Sequence, residues 1–329
     1  MRQLPLATAA LLLLLLLLNG CDTNGPSASD ARGGGGESGA PGADAGARPD
    51  PLGAIDIASR LAGLWSAPVH DTPLGSFPLM NVELRPAGEL LFGRVDLDHK
   101  NNLRFAFSVE QDATSGERHL IYRNGGFFLG LLRDDRATLV EHDGARGFYR
   151  FCHLTRGCEY VDARWTFSAD DKLSFDVWVR GKKHVSWKAE RRREDPLPSG
   201  FSLADSSGRT LTSPLPEMPR LEVTARWTGP LAKDGLVLLS LTRADCLLGI
   251  GDCDISRSVV GQAKAGSESA TLILDQLHPG AYKVNAVLDR NSNLLPEKGD
   301  SIAIPNLPLD VKASATTQSA TVEIAIPFP

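Results

Sequence analysis

The sequence predicts an all-β protein, an antiparallel up-and-down barrel followed by a β-sandwich. Three observations carry this. Short apolar stretches, many alternating with polar residues, recur from about residue 63 to 189 and again from 221 to 326, with no long helical period anywhere. Turn pairs separate them, in a chain of 329 residues that holds 32 Gly and 21 Pro. A Pro- and Ser-rich stretch, 194–219, divides the two series and marks a domain boundary.

The chain opens with Met1-Arg2 and an apolar stretch that ends in the run Leu11 to Leu18. That run is too short for a comfortable membrane span and reads as the core of a signal peptide covering 1–20. It abuts Leu18-Asn19-Gly20-Cys21, which resembles the lipobox of bacterial lipoproteins; Asn19 departs from the usual small residue, whereas Gly20 and Cys21 fit. The resemblance implies that Cys21 carries acyl chains and that the protein is held to a membrane of the cell envelope, facing the periplasm or the cell surface. Two or three chains anchor stably where one does not. The alternative is an ordinary secretory signal. Asp22 is similar to an inner-membrane retention signal of enterobacterial lipoproteins. Residues 21–53 then form a tether of Gly, Ala, Ser, Pro and Asp, with no apolar side chain larger than Ala before Leu52. Such a segment cannot bury enough surface to order itself.

The first folded domain spans 54–193. A helical turn over Ile55 to Leu61 leads into Gly63-Leu64-Trp65. Strands are predicted at Met80–Leu84, Glu89–Val95, Leu103–Val109, His119–Arg123, Phe127–Leu132, Ala137–Glu141, Phe148–Cys152, Tyr160–Phe167, Leu173–Val179 and His184–Ala189. Asn124-Gly125 is the strongest hairpin signal among them. A meander of that length either closes or leaves edges to protect. The helical turn, the G-x-W motif and the strands resemble a lipocalin or wider calycin barrel. The resemblance implies that Gly63 and Trp65 close the barrel bottom and that a basic residue on the last strand, Lys188 or Arg191, crosses the Trp65 ring. It also implies a barrel holding one small apolar or amphipathic ligand. The alternative is a solid core in which Trp65, Trp165, Trp178 and Trp187 are packing residues. The run Arg191-Arg192-Arg193 reads as a solvated strand end, with acidic lipid headgroups as a second option.

There are five cysteines. With Cys21 acylated, four remain, and in an exported protein Cys152 with Cys158 and Cys246 with Cys253 read as two local disulfides. A zinc site around His153 fails on spacing and lacks a fourth ligand.

The second domain covers 220–329. Its predicted strands are Leu221–Trp227, Leu236–Leu241, Val259–Ala263, Ala270–Leu274, Tyr282–Leu288, Ser301–Ile304, Leu309–Ala313 and Ala320–Ile326, the spacing of a β-sandwich. In Leu277-His278-Pro279-Gly280-Ala281-Tyr282 the Tyr resembles a tyrosine corner. The loop after that strand places Asp289, Asn291, Asn293, the Leu295 carbonyl, Glu297 and Asp300 at the ligand spacing of an EF-hand-like calcium loop. Leu294 stands where Gly is usual, Asp300 replaces the bidentate Glu, and strands rather than helices flank the loop. The combination resembles secreted transthyretin-like sandwich domains. A metal-free Asx-rich turn is the alternative.

With 35 basic and 40 acidic residues the chain has a net charge of −5, which excludes nucleic acid as the main partner. No nucleophile elbow, zinc-protease, dithiol or phosphate-loop motif is present. The expectation is therefore a non-catalytic, lipid-anchored binding protein, with Ca²⁺ as the one candidate cofactor. A structural or interaction lipoprotein without a small ligand is the second reading, and a hydrolase hidden in the barrel is the third. Nothing in the sequence points to a protein partner.

Overall fold

A computed structural model describes residues 56–329 except 71, 73–74, 99–100, 125–134, 170, 204–217, 247–254 and 314–315. Residues 49–329 form one compact unit. It is all-β: a closed ten-stranded antiparallel barrel and a second, curled sheet.

The barrel begins with a one-and-a-half-turn helix, α1 (Ile57–Leu61), and then runs β1 (Gly63–Val69), β2 (Phe77–Ala87), β3 (Leu90–Leu97), β4 (Asn101–Gln111), β5 (Arg118–Asn124), β6 (Asp135–Asp143), β7 (Phe148–His153), β8 (Gly157–Phe167), β9 (Lys172–Val179) and β10 (Lys182–Arg193). Each strand pairs with the next, and β1 pairs with β10 to close the ring. Closure removes both edges, which answers the exposure problem of a long meander. One strand differs from expectation. The G-x-W motif and the residues after it form β1, although the run with Pro68 shows no clean alternation. The predicted strand Phe127–Leu132 and the Gly125 half of its hairpin signal lie outside the described residues.

Alternation decides what the barrel encloses. Inward positions carry Trp65, Phe105, Phe107, Tyr122, Tyr149, Phe151, Trp165, Phe167, Phe175 and Trp187, all buried. Tyr122 sits among them, its ring 5.0 Å from Phe107, 5.7 Å from both Phe105 and Trp165, 6.0 Å from Phe151 and 6.4 Å from Phe175. Trp165 and Phe175 lie 4.0 Å apart. Phe105 of β4 lies against Gly93 of β3, where a Cβ would fall 2.2 Å from the ring. Any larger residue there would displace the aromatic cluster.

The second domain contains β11 (Leu221–Trp227), β12 (Gly235–Thr242), β13 (Ile255–Ala263), β14 (Ser269–Leu274), β15 (Gly280–Asp289), β16 (Ser301–Ala303), β17 (Leu307–Val311) and β18 (Gln318–Pro327). The sandwich forms from one mixed sheet, ordered β13-β12-β15-β16-β18-β11-β14 with β17 also on β15. The final strand returns parallel to β11, register Leu221↔Gln318 to Trp227↔Ile324. The sheet curls until Leu272 on β14 reaches Gly261 on β13, and it encloses Val223, Trp227, Leu239, Val284, Leu288 and Val322.

Candidate functional site

The barrel bottom shows where the motif residues go. Gly63 has φ +119°, and a Cβ there would lie 2.1 Å from the Arg193 carbonyl oxygen, so only glycine fits. The Arg191 guanidinium lies 4.6 Å above the Trp65 ring. It also donates to the Ala62 and Arg60 carbonyls at 3.0 and 2.8 Å, satisfying the C-terminal end of α1. Trp65 Nε1 donates to the Leu61 carbonyl at 3.0 Å. Lys188, the other candidate for this role, is exposed on the outer wall. At the start of α1, Asp56 receives the hydrogen bonds of the Tyr149 hydroxyl and the Arg60 guanidinium.

The disulfide Cys152–Cys158 is formed. Its loop is fixed by His153, whose Nδ1 accepts the backbone N–H groups of Thr155 and Arg156. Cys246 is buried and disulfide-bonded; Cys253, like Cys21, lies outside the described residues.

In the 289–300 loop the carboxylates turn toward their own backbone. Asp289, fully buried, accepts the N–H groups of Asn291, Ser292 and Leu294 at 3.2, 2.7 and 2.7 Å. Asp300 accepts those of Arg290 and Glu297. Asn291 and Asn293 accept the N–H groups two residues on, and Asn291 donates to Glu297. Leu294, in the position where glycine is usual, has φ +66°. This is a nest of Asx turns, and Leu295 sits exposed at its tip.

The most heavily charged buried site lies between barrel and sheet, and sequence reasoning missed it. Register builds it. On the outer barrel face Leu64, Glu83 and Arg94 stand side by side on β1, β2 and β3, and Arg193 of β10 is opposite Leu64. Arg85 is two residues along β2 from Glu83, on the same face. The Glu83 carboxylate thus meets Arg94 and Arg193 at 2.8 Å and Arg85 at 2.9 Å. The sheet domain adds Arg243, from the end of β12, at 3.4 Å. Asp195 bridges Arg85 and Arg193. The start of β13 supplies the Ser256 carbonyl to Arg94, the Ser256 hydroxyl to Arg193, and Arg257 to Asp96 at 3.3 Å. Phe92 meets the His278 ring edge-on at 5.6 Å.

The tyrosine predicted at the corner takes part. The Tyr282 hydroxyl donates to the His278 carbonyl at 2.7 Å and accepts from Arg243, whose guanidinium lies 4.4 Å over the Tyr282 ring. So the turn that presents His278 and the arginine that reaches Glu83 are held by one side chain.

Burial sets the charges. Burial alone would raise the Glu83 carboxyl; His278 and the guanidiniums of Arg94, Arg85 and Arg193 outweigh it and hold it well below the usual carboxylate range. His278 is itself pushed down to about 3, first by burial and then by Arg94, Arg85 and Arg243, with Glu83 opposing. It is therefore neutral near pH 7, and the arginines carry the effect on Glu83. Burial also lowers Arg257 to about 10, which leaves it charged. The triplet 191–193 is thus not simply a solvated strand end. A register shift in the β1–β10 pairing separates two residues of like parity: Arg191 meets Trp65 and Arg193, opposite Leu64, meets Glu83, while Arg192 alone of the three is exposed.

This arrangement joins two domains; among the described residues it offers no nucleophile–base pair, and no group of three or more metal-ligating side chains is found. No family model matches the chain, and no curated protein or solved structure matches it.

Proposed function

We propose that this protein is a lipid-anchored component of the cell envelope that acts by presenting a rigid two-module surface and catalyses no reaction. The aromatic cluster around Tyr122 carries the reading. A closed barrel is compatible with ligand binding; the close packing of its inward rings among the described residues, Trp165 on Phe175 at 4.0 Å and Tyr122 on Phe107 at 5.0 Å, supports a core of packing residues instead. The Glu83 cluster supports the second half: a joint of buried ion pairs fixes one relative placement of the two modules. Organic extraction of the purified protein followed by mass spectrometry tests the choice. Recovery of only the acyl chains is expected; a stoichiometric second lipid or apolar molecule reinstates the ligand-carrying reading. Radiolabelled palmitate should label the wild type and not Cys21→Ala.

A second proposal concerns the loop 289–300, which we read as a weak Ca²⁺ site. It is supported by the alternating oxygens of Asp289, Asn291 and Asn293 and by the left-handed Leu294, which lets the loop coil as a cation loop must. Thermal melting with and without millimolar Ca²⁺ decides it: the expected rise in midpoint must vanish in Asp289→Asn. An unchanged wild-type midpoint leaves a plain Asx-turn loop.

A further inference from the structure

We infer that the outer wall of β7–β10 docks onto an anionic lipid surface. The chain as a whole is acidic, yet residues 148–193 hold eleven Lys and Arg against six Asp and Glu, and still nine against six once Arg191, on Trp65, and Arg193, in the Glu83 joint, are set aside. These strands form one continuous wall of the barrel, and the Glu83 joint to the sheet domain lies on β1, β2 and β3 and at the end of β10. Arg156, Lys172, Arg180, Lys182, Lys183 and Lys188 are exposed on it.

Two aromatic side chains lie among these cations. Trp178, in register with Asp162 on β8 and Lys183 on β10, has Arg164 at 4.5 Å and Lys183 at 5.2 Å over its ring. Tyr160, on the neighbouring strand, has Arg156 at 4.6 Å and Arg180 at 5.4 Å. Among the described residues carboxylates answer only part of this charge, with Glu159, Asp171 and Glu190 also exposed on the wall and Asp171 paired with Arg191. Asp162 takes Arg150 and Arg164, Asp176 takes Lys183, and Glu141 reaches Arg150. Arg156 and Arg180 stand on the Tyr160 ring. Basic side chains mixed with partly exposed Trp and Tyr match the headgroup layer, where the rings sit at the boundary and the cations meet phosphate. The choice of lipid over another polyanion rests on the anchored reading.

The test uses unacylated full-length Cys21→Ser protein, so that its failure is separate from failure of palmitate labelling. Co-sedimentation is measured with vesicles of phosphatidylcholine alone and of phosphatidylcholine mixed with phosphatidylglycerol. Binding is expected only to the mixed vesicles, and it should fall when salt rises from ~0.1 M to ~1 M and the screening length shrinks from ~10 to ~3 Å. Each basic residue near such a surface contributes about five-fold, so Arg156→Glu/Arg180→Glu/Lys183→Glu should weaken binding by roughly 100-fold or more. Lys233→Glu/Lys264→Glu in the sheet domain, whose melting is checked alongside, should bind as wild type. Equal binding to both vesicle types, no binding at low salt, an unchanged triple variant, or binding to dextran sulfate without binding to the mixed vesicles each overturns the inference.

Discussion

Two walls of the same barrel carry the same sequence pattern and meet opposite fates. On β2 and β3 the outward residues include Glu83, Arg85, Arg94 and Asp96; on β8 and β9 they include Asp162, Arg164, Asp176 and Trp178. Both read as apolar-in, charged-out strands. The first wall is covered by the sheet domain, and Glu83 and Arg94 are each 1 % exposed. The second faces water, and the Arg164 side chain is 40 % exposed. An ion pair is therefore structural or dispensable according to what covers it, and that is decided by residues more than a hundred positions away.

The sharpest way to break this contrast is to delete one carboxylate from each wall. Glu83→Ala strands the guanidiniums of Arg85, Arg94, Arg193 and Arg243 in a desolvated joint, and removing one partner of a buried pair costs roughly 3–5 kcal/mol. Asp176→Ala releases Lys183, whose side chain is 45 % exposed, and should cost about 1 kcal/mol or less. Denaturant melts of both variants check the pair; equal losses would erase the distinction between the walls.

The folds were legible where physics is local. Alternation and turn pairs such as Ser115-Gly116 and Asp143-Gly144 mark the strands, because a half-buried strand must alternate and a tight turn needs Gly or Asx. Cys152 and Cys158 could be paired because six positions span one hairpin. What stayed hidden is non-local. Nothing in Leu221–Trp227 announces a parallel neighbour at 318–324, the pairing that joins the strands of the second domain into one curled sheet. Glu83 and Arg94 look like any solvated strand residues, and His278 looks like a turn residue, until Arg243, Ser256 and Arg257 are set against them. Charged residues crowded on adjacent outward positions of β2 and β3 were the available signal, but they specify no cover.

Acid should separate the walls next. The folded state keeps His278 neutral down to about pH 3, whereas the unfolded chain takes up that proton near its ordinary value of 6.5. Proton uptake thus favours unfolding, and stability falls as pH drops below about 6.5, by at most about 1.4 kcal/mol per pH unit. Glu83 has the same sign in a lower window: its folded carboxyl is depressed, so its contribution is complete above about 4.5 and is lost as pH falls through the folded value. The groups facing His278 are Glu83, Arg85, Arg94 and Arg243, with Phe92 against its ring. Melting midpoints measured from pH 7 to 4 should slope downward in the wild type. His278→Gln should flatten the slope above about 4.5 and keep the steeper loss below it; an unchanged slope would place the titrating group elsewhere.

The smallest effect tests how the sheet domain holds its side of the joint. Tyr282→Phe removes one hydroxyl, and with it the hydrogen bond to the His278 carbonyl and the one accepted from Arg243. The ring and its stack with the Arg243 guanidinium remain. Two bonds worth about 1 kcal/mol each, one of them charge-assisted, give an expected loss of about 2 kcal/mol. If the hydroxyl acts only as a local corner, that loss adds to the cost of Glu83→Ala in the double variant. If it orients Arg243 toward Glu83, the two losses overlap, because a guanidinium that no longer has a carboxylate to meet gains nothing from being oriented. A coupling of about 0.5 kcal/mol or more in the double-mutant cycle is expected for residues sharing one network. Additivity would make Tyr282 a feature of the sheet domain alone and leave Arg243 to find Glu83 unaided.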